Sequence, residues 1–236
     1  MITKYIPKQL RKQKYRFILV EAKGKKPIET RWTDNNNYDF ESSKLKKHKG
    51  NYGIIGGYGD LIILDFDDSE TEQKLRHYLP ATFIVETGTG GKHYYYTTNK
   101  ADSYKIRRTG KEEKTLIDIQ GVGKQVIGPG STHPNGNKYK VFNDEKIAGL
   151  DNIKLKTILL EHLGPNELPK AWLKDLRISK GSDEIDEIKN KLSVEQLLRE
   201  EGYNPSSSML CPFHNDKTES AGVFDNGDKF NCFACN

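Results

Sequence analysis

The chain has 236 residues and a net charge of +5, with 34% hydrophobic and 30% charged residues. This length is enough for one domain with a sizeable core, or for one domain and a small module. No apolar run approaches the roughly 20 residues of a membrane span, and the N-terminus lacks the apolar region of a signal peptide. We therefore expect no membrane attachment and a cytoplasmic location.

The first part of the chain is predicted to consist mainly of strands. "YRFILV" is the first of these, and "YGIIGG" and "LIILDF" follow as two short strands. Residues 56–60 between them resemble a hairpin connection. "DSETEQKLRHYL" then predicts a helix, with Asp68 or Ser69 as its N-cap.

Strands continue after this helix and give way to helices near the C-terminus. The predicted strands are "TFIVETG", "KHYYYTT", "TLIDIQ", "KQVIGPG" and "KYKVF". A helix is predicted up to Gly164, and residues 177–184 read as a linker. Helices follow at 185–192 and at 193–202, where Ser193 and Gln196 form a capping box. The pattern predicts an α+β domain followed by a small module.

Two carboxylates stand at the end of the strand "LIILDF". Alternate residues of a strand share a face, so Asp65 points to the same side as Leu61 and Ile63, and Asp67 follows it. Carboxylates about 7 Å apart at Cα repel each other unless a cation lies between them. Hard oxygen ligands select Mg²⁺ or Mn²⁺, and a pair of such ions would lie about 3.5–4 Å apart. The alternative, an acidic helix N-terminus, is the interpretation we prefer for Asp68 and Glu70.

Two further residues could complete a site. Asp118 stands between two isoleucines in "TLIDIQG", which is costly unless the carboxylate is paired with a basic residue or bound to a metal. His93 opens the strand after the glycine-rich residues 88–91, whose backbone amides could approach an anion. Taken alone, His93 is better interpreted as a structural strand histidine with satisfied hydrogen bonds than as a ligand-binding residue.

All three cysteines lie near the C-terminus, in the motifs Cys211-x-x-His214 and Cys232-x-x-Cys235. An odd number of clustered cysteines argues against a disulfide framework and fits a reducing compartment. Four nitrogen and sulfur ligands in two such motifs predict a structural Zn²⁺ site with every position filled by the protein.

In order along the chain, four segments together resemble the prim-pol branch of the archaeo-eukaryotic primase superfamily. They are "FILVEAKGKKPIETRW", "NYGIIGGYGDLIILDFDD", "LPATFIVETGTGGKHYYY" and "LIDIQGVGKQVIGPGSTHPNGNKY". The second ends in a motif similar to D-x-D/E, the third resembles S-x-H, and the fourth contains the hydrophobic-Asp motif. The resemblance implies an RRM-like catalytic sheet joined to an N-terminal α/β subdomain.

By position, the resemblance makes Asp65, Asp67 and Asp118 ligands of two catalytic Mg²⁺ or Mn²⁺ ions. It places His93 at the phosphates of the incoming nucleotide. The serine of S-x-H is Gly91 here, so a hydroxyl contact is either missing or supplied by Thr89. Three more residues are implied near the nucleotide: Lys124, Ser131 and His133.

The stretch from Cys211 to Cys235 resembles the zinc-binding domain of bacterial replicative primases. The residues between the two motifs predict ribbon strands around Val223, Phe224 and Phe230. Phe213 and Phe233 could belong to the core or stack on bases, and we expect them in the core. The predicted domains are a catalytic domain at 1–175, a helical linker at 176–202 and a zinc ribbon at 203–236.

The combined interpretation is a DNA primase-polymerase that starts primers on single-stranded DNA and extends them from nucleoside triphosphates. A replicative helicase is a candidate partner. The alternatives are a gap-filling or translesion polymerase that does not prime, a zinc-ribbon nucleic-acid-binding protein with an inactive core, and a metal-dependent nuclease.

Overall fold

A computed structural model describes residues 2–108, 113–173, 193–227 and 229–235. The chain divides into two compact units, Met1–Leu173 and Lys174–Asn236. The predicted linker at 177–184 and the helix at 185–192 lie outside the described residues. Among the helices that are described, none is long and apolar enough to cross a membrane.

The first unit contains two antiparallel sheets. The smaller sheet has the order β1 (Phe17–Val20), β2 (Asn51–Ile55) and β8 (Gln125–Ile127). The larger sheet has the order β6 (Tyr104–Arg108), β7 (Lys114–Gln120), β3 (Leu61–Phe66), β5 (Lys92–Thr97), β4 (Ile84–Glu86) and β9 (Lys140–Asn143). The short β10 (Ala148–Gly149) pairs with β5 in parallel. The α+β class is therefore confirmed, while the RRM-like arrangement stays a prediction.

Strand β3 separates two hydrophobic cores because its side chains alternate between them. Leu61 and Ile63 pack with the small sheet in one core. Ile62, Leu64 and Phe66 pack in the other core with α2 (Ser69–Leu75) and α3 (Asn152–Leu163). The alternation places Asp65, the next odd-numbered residue, on the face that is turned toward the small sheet.

The predicted hairpin between β2 and β3 is wrong. Strand β2 pairs with β1 and β8, whereas β3 pairs with β5 and β7. The connection turns through left-handed backbone at Gly57 (φ 87°) and Gly59 (φ 63°), which carries the chain from one sheet to the other. Both strands are buried on both faces, so each occupies an inner position of its own sheet.

The helix ends follow the sequence signals. The side chain of Asp68 caps α2 by accepting a hydrogen bond from the amide of Thr71, and Gly164 follows the last residue of α3. Neither β6 nor the short α1 (Ser43–Lys47) was predicted from the sequence.

The second unit is small and is built around a two-stranded ribbon. It contains α4 (Val194–Glu200) and the antiparallel pair β11 (Ala221–Phe224) and β12 (Lys229–Cys232). The predicted capping box of Ser193 and Gln196 is present. In the part of this unit that the structure describes, the core contains only a few buried side chains: Leu198, Met209, Cys211, Ala221 and Cys232. A core this small needs a cross-link or a metal ion to be stable on its own.

Candidate active site and zinc centre

Three of the predicted site residues lie side by side on neighbouring strands of the large sheet. Asp65 of β3 is opposite His93 of β5 on one side and opposite Asp118 of β7 on the other. Lys105 of β6 is opposite Asp118 and extends the row by one strand. Side chains directly opposite each other have Cβ atoms about 4.5–5.5 Å apart. Sheet register therefore brings together residues that are far apart in the chain. We call these three neighbouring residues, the two carboxylates Asp118 and Asp65 and the histidine His93, the carboxylate row.

His93 and Asp65 are held close together in a buried position. Nε2 of His93 lies 3.4 Å from Oδ1 of Asp65, and His93 is 4% exposed. Neither this Oδ1 atom nor Nδ1 of His93 has a hydrogen-bond partner among the described residues. Buried polar atoms without partners are costly in a folded protein. The simple alternative of a fully satisfied strand histidine therefore does not describe His93.

Asp67 lies just beyond the end of β3 and belongs electrostatically to the same group of carboxylates. Although the residue is exposed, desolvation of its carboxylate, followed by the charge of Asp65, raises its pKa. Asp118 acts in the same direction, whereas Lys25 and His93 oppose the rise. The charges of Asp65 and Asp118 thus oppose ionisation of Asp67, as expected for a group of carboxylates that a cation would stabilise.

Asp118 also has the basic neighbour that the sequence offered as the alternative. Nζ of Lys105 lies 3.1 Å from Oδ2 of Asp118. One carboxylate can hold a lysine with one oxygen and a cation with the other, so this ion pair fits both interpretations.

Asp68, the last carboxylate of the run, has a structural role. Its Oδ2 accepts a hydrogen bond from the amide of Thr71 at 3.1 Å, and its Oδ1 lies 2.6 Å from Nζ of Lys114. Desolvation of the buried Asp68 carboxylate opposes its ionisation, but the hydrogen bonds with Lys114 and Thr71 outweigh desolvation and lower its pKa. Its assignment to the helix N-terminus is confirmed.

The glycine-rich turn of residues 88–91 places Gly91 against the end of β3. A Cβ atom at Gly91 would lie 2.6 Å from the carbonyl oxygen of Phe66 and 3.4 Å from Oδ1 of Asp67. The Phe66 contact is shorter than real Cβ atoms allow, so a serine at this position would require the backbone to move. The hydroxyl of Thr89 lies 3.0 Å from that of Thr87.

The other residues that resemblance placed near the nucleotide differ in their surroundings. Ser131 is buried, and its hydroxyl accepts a hydrogen bond from the Tyr52 amide at 3.3 Å. His133 is 9% exposed, and its Nδ1 accepts a hydrogen bond from the amide of Asn135 at 3.2 Å. Lys124 is exposed. The contact of each with a nucleotide stays a prediction.

Sequence reasoning missed three residues of this region. The charge of Lys25 opposes the rise in the pKa of Asp67, and Lys105 pairs with Asp118. The ring of Tyr139 lies 5.9 Å from the ring of His93 and 6.0 Å from the ring of His133. Lys25 belongs to the basic run "KGKKP", but a run does not tell which lysine faces the site. Lys105 lies on β6, which the sequence did not predict.

The four predicted zinc ligands converge in the second unit. Their ligand atoms, on Cys211, His214, Cys232 and Cys235, all lie within 4.8 Å of one another. The sulfur atoms of Cys211 and Cys235 are 3.8 Å apart, and Nδ1 of His214 lies 3.9 Å from the sulfur of Cys232. Tetrahedral Zn²⁺ with bonds of about 2.3 Å to sulfur requires a sulfur–sulfur distance of about 3.8 Å. The residues fit a structural zinc ion.

Surrounding groups orient these ligands. Nε2 of His214 lies 3.1 Å from Oδ1 of Asp216, which leaves Nδ1 directed at the ligand cluster. The amide of Phe213 donates to the sulfur of Cys211, and the amides of Ala234 and Cys235 donate to that of Cys232. A hydrogen bond from the Ser220 hydroxyl lowers the pKa of Asp216, so the carboxylate stays ionised next to the histidine.

The prediction that Phe213 and Phe233 belong to the core is wrong. They are 76% and 72% exposed, respectively. Each ring makes an edge contact with another phenylalanine, Phe213 with Phe230 and Phe233 with Phe224. Phe224 is exposed as well and Phe230 is half-buried, because the small ribbon has too little interior to bury four phenylalanines.

Comparison with known families agrees with this architecture. The family model described as "Bifunctional DNA primase/polymerase, N-terminal" matches residues 8–153. The chain belongs to this family. A second model, the CHC2 zinc finger, matches residues 180–236. No curated protein sequence is significantly similar to the chain.

The primase/polymerase match covers every residue of the carboxylate row, together with Asp67 and Gly91. Membership of the family makes this a primase/polymerase-type chain, expected to bind DNA and nucleotides. The zinc-finger match covers all four ligands, and the prediction of a structural zinc site is supported by both the family and the geometry.

Proposed function

We propose that the chain is a template-directed nucleotidyltransferase that starts primers on single-stranded DNA and extends them. The observation that carries the proposal is the carboxylate row, with Asp67 beside it, inside a chain of the primase/polymerase family. The register of the strands brings these residues to one face of the large sheet, where buried and charged side chains lie next to each other.

The carboxylates fit divalent cations of the Mg²⁺ or Mn²⁺ type. Asp65, Asp67 and Asp118 offer hard oxygen ligands, and desolvation, followed by the charge of Asp65, raises the pKa of Asp67. One oxygen of Asp65 is buried and has no hydrogen-bond partner in the described part of the chain. When bound, two cations would lower the pKa of a primer 3′-hydroxyl and neutralise the triphosphate.

In this proposal His93 acts on the phosphates of the incoming nucleotide. It is fixed beside Asp65 at 3.4 Å, and its Nδ1 is buried and unpartnered among the described residues. Gly91 lets the turn approach Asp67 closely, so that backbone and carboxylate can enclose the same ligand. The hydroxyl contact of the S-x-H motif is left to Thr89.

We further propose that the zinc unit serves the start of chains rather than their extension. Extension begins with a paired primer end, whereas initiation must assemble two free nucleotides on a single strand and loses far more entropy. The exposed rings of Phe213 and Phe233 offer a stacking surface that could hold template bases. Lys217 would add positive charge; Lys229 already pairs with Asp225 at 2.5 Å. A helicase partner stays a prediction.

The test incubates the full chain with single-stranded DNA, labelled ribo- or deoxynucleoside triphosphates, and Mg²⁺ or Mn²⁺. A parallel reaction supplies a preformed primer. Synthesis in both reactions supports the proposal, and extension without initiation would identify a gap-filling enzyme. Shortening of the DNA in place of synthesis would identify a nuclease and overturn it. Asp65→Asn is the inactive control, and Glu70→Gln is the matched control at an exposed carboxylate outside the row.

A further inference from the structure

A basic cavity lies outside the carboxylate row. It has a volume of about 410 Å³, within the range of roughly 300–1,000 Å³ that is typical of small-molecule sites. Among the described residues that line it, none belongs to the carboxylate row and none is acidic. Its basic and aromatic lining residues are Lys4, Tyr5, Lys23, His48, Lys49 and Lys138. We refer to it as the lysine cavity.

No described residue neutralises the lysines of this cavity. Lys4, Lys23, Lys49 and Lys138 are exposed, and none forms an ion pair with a described residue. Unpaired charges of one sign in a concave site create a focused positive potential that attracts anions. Two of the ammonium groups also lie over the ring of Tyr5, at 4.8 Å for Lys4 and 5.9 Å for Lys138.

Buried hydrogen bonds hold the walls of the cavity in place. Asn51, which is 4% exposed, donates from Nδ2 to the carbonyls of Gly24 at 2.9 Å and Thr132 at 2.7 Å. Its Oδ1 accepts from the amide of Thr132 at 2.9 Å. Nε2 of His48 lies within hydrogen-bond distance of the carbonyls of Val20 and Asn51. The walls are thus fixed before any ligand binds, which lowers the entropy cost of binding.

Lys23 adds an observation of a different kind, because its backbone is left-handed, with φ at 55°. For a residue with a Cβ atom this conformation is unfavourable, and a glycine would adopt it more easily. Strained residues persist where the surroundings impose them, often at binding sites. Lys23 therefore combines a strained backbone with a position in the lining of the lysine cavity.

We propose that the lysine cavity binds the phosphate of a nucleotide, at a site separate from the carboxylate row. Lys23, Lys49 and Lys138 contact the phosphate, and the ring of Tyr5 packs against the adjoining base or sugar. The phosphate comes either from the single strand on which the enzyme works or from a free nucleoside triphosphate. The identity of the ligand as a nucleotide rests on the proposed function. The existence of the anion-binding site does not depend on it.

The chain offers a matched pair of variants for the test. Lys23→Gly removes one positive charge and relaxes a left-handed residue. Arg31→Gly does the same outside the cavity, because Arg31 is exposed and has φ at 53°. Both variants should melt at a higher temperature than the wild type, since both relieve backbone strain. Only Lys23→Gly should lose affinity for phosphate ligands.

Binding is measured on the full, zinc-loaded chain without Mg²⁺ or Mn²⁺, so that the carboxylate row is not involved. One arm uses a fluorescent oligothymidylate without a terminal phosphate, titrated at several salt concentrations. The other arm uses a fluorescent nucleoside triphosphate. Losing one contact with a single strand should reduce the slope of log affinity against log salt by about 0.7. Lys49→Ala serves as a second cavity variant.

A reduced slope in the oligonucleotide arm, larger than for Arg31→Gly, supports the site with the strand as its ligand. A selective loss of triphosphate affinity supports it with the free nucleotide as its ligand. If both cavity variants match Arg31→Gly in both arms, the proposal is overturned. Nucleotidyl transfer, measured separately with Mn²⁺, reports on the proposed function alone.

Discussion

Adding a single methyl group at Gly91 should disturb both stability and activity. In Gly91→Ala the new Cβ would lie 2.6 Å from the carbonyl oxygen of Phe66, whereas real Cβ atoms essentially never approach within 3.0 Å. The end of β3 or the glycine-rich turn must therefore open by at least about 0.4 Å. Overpacking of this kind costs about 1–3 kcal/mol. The displaced residue is the immediate neighbour of Asp67, and small misplacements of reacting groups are costly in rate, so we expect primer extension to slow on the order of tenfold.

The measurement combines urea unfolding with extension of a preformed, labelled primer in the presence of Mn²⁺. Gly149→Ala is the control, because a Cβ at Gly149 meets no atom of the described residues within 4 Å and should change stability by less than about 0.5 kcal/mol. Gly91→Ser restores the residue of the S-x-H motif and should behave like Gly91→Ala. Wild-type stability and rate in both variants would contradict the close contact between Gly91 and the carbonyl oxygen of Phe66. A faster Gly91→Ser enzyme would show that the missing hydroxyl affects the rate more than the steric clash does.

Four further outcomes are expected. Asp65→Asn or Asp118→Asn should slow nucleotide incorporation by well over about a hundredfold, while oligonucleotide binding and the unfolding midpoint stay close to wild type. His93→Ala should raise the KM for nucleotide or lower kcat, with template affinity unchanged, as titrations at saturating template will show. A zinc chelator or Cys232→Ala should release one zinc ion per chain and unfold the ribbon locally, and initiation should be lost while extension remains. Asp68→Ala should lower the free energy of unfolding by about 1–2 kcal/mol in urea titrations, because the helix cap is lost. In the wild type this contribution should persist above about pH 4 and fade as the pH drops through the lowered pKa of the carboxyl group.

Each of these expectations can fail. Near-normal extension by either aspartate variant would remove that residue from the site. Unchanged kinetic constants for the His93 variant would return the histidine to a structural role. Equal loss of initiation and extension after zinc removal would contradict a role restricted to priming. An unchanged free energy for the Asp68 variant would show that its cap and ion pair contribute nothing.

Local chemistry was readable from the sequence alone. The pairing of Cys211-x-x-His214 with Cys232-x-x-Cys235 predicted a tetrahedral cluster, because ligand types and spacing suffice to define one. Alternation predicted that Asp65 shares the face of Leu61 and Ile63, since the period of a strand is fixed by its backbone. Asp68 as helix cap and the capping box of α4 followed from interactions within three residues.

Long-range placement was decided only by the tertiary structure. Which strands lie next to β3 depends on pairing across the sheet, and that pairing sets His93 and Asp118 on either side of Asp65. No local pattern could tell that β2 and β3 belong to different sheets, or which lysine of "KGKKP" acts on Asp67. The exposure of Phe213 and Phe233 likewise depends on how little interior the ribbon encloses. Sequence fixes what a residue can do within a few neighbours, whereas register and packing determine which distant residues it meets.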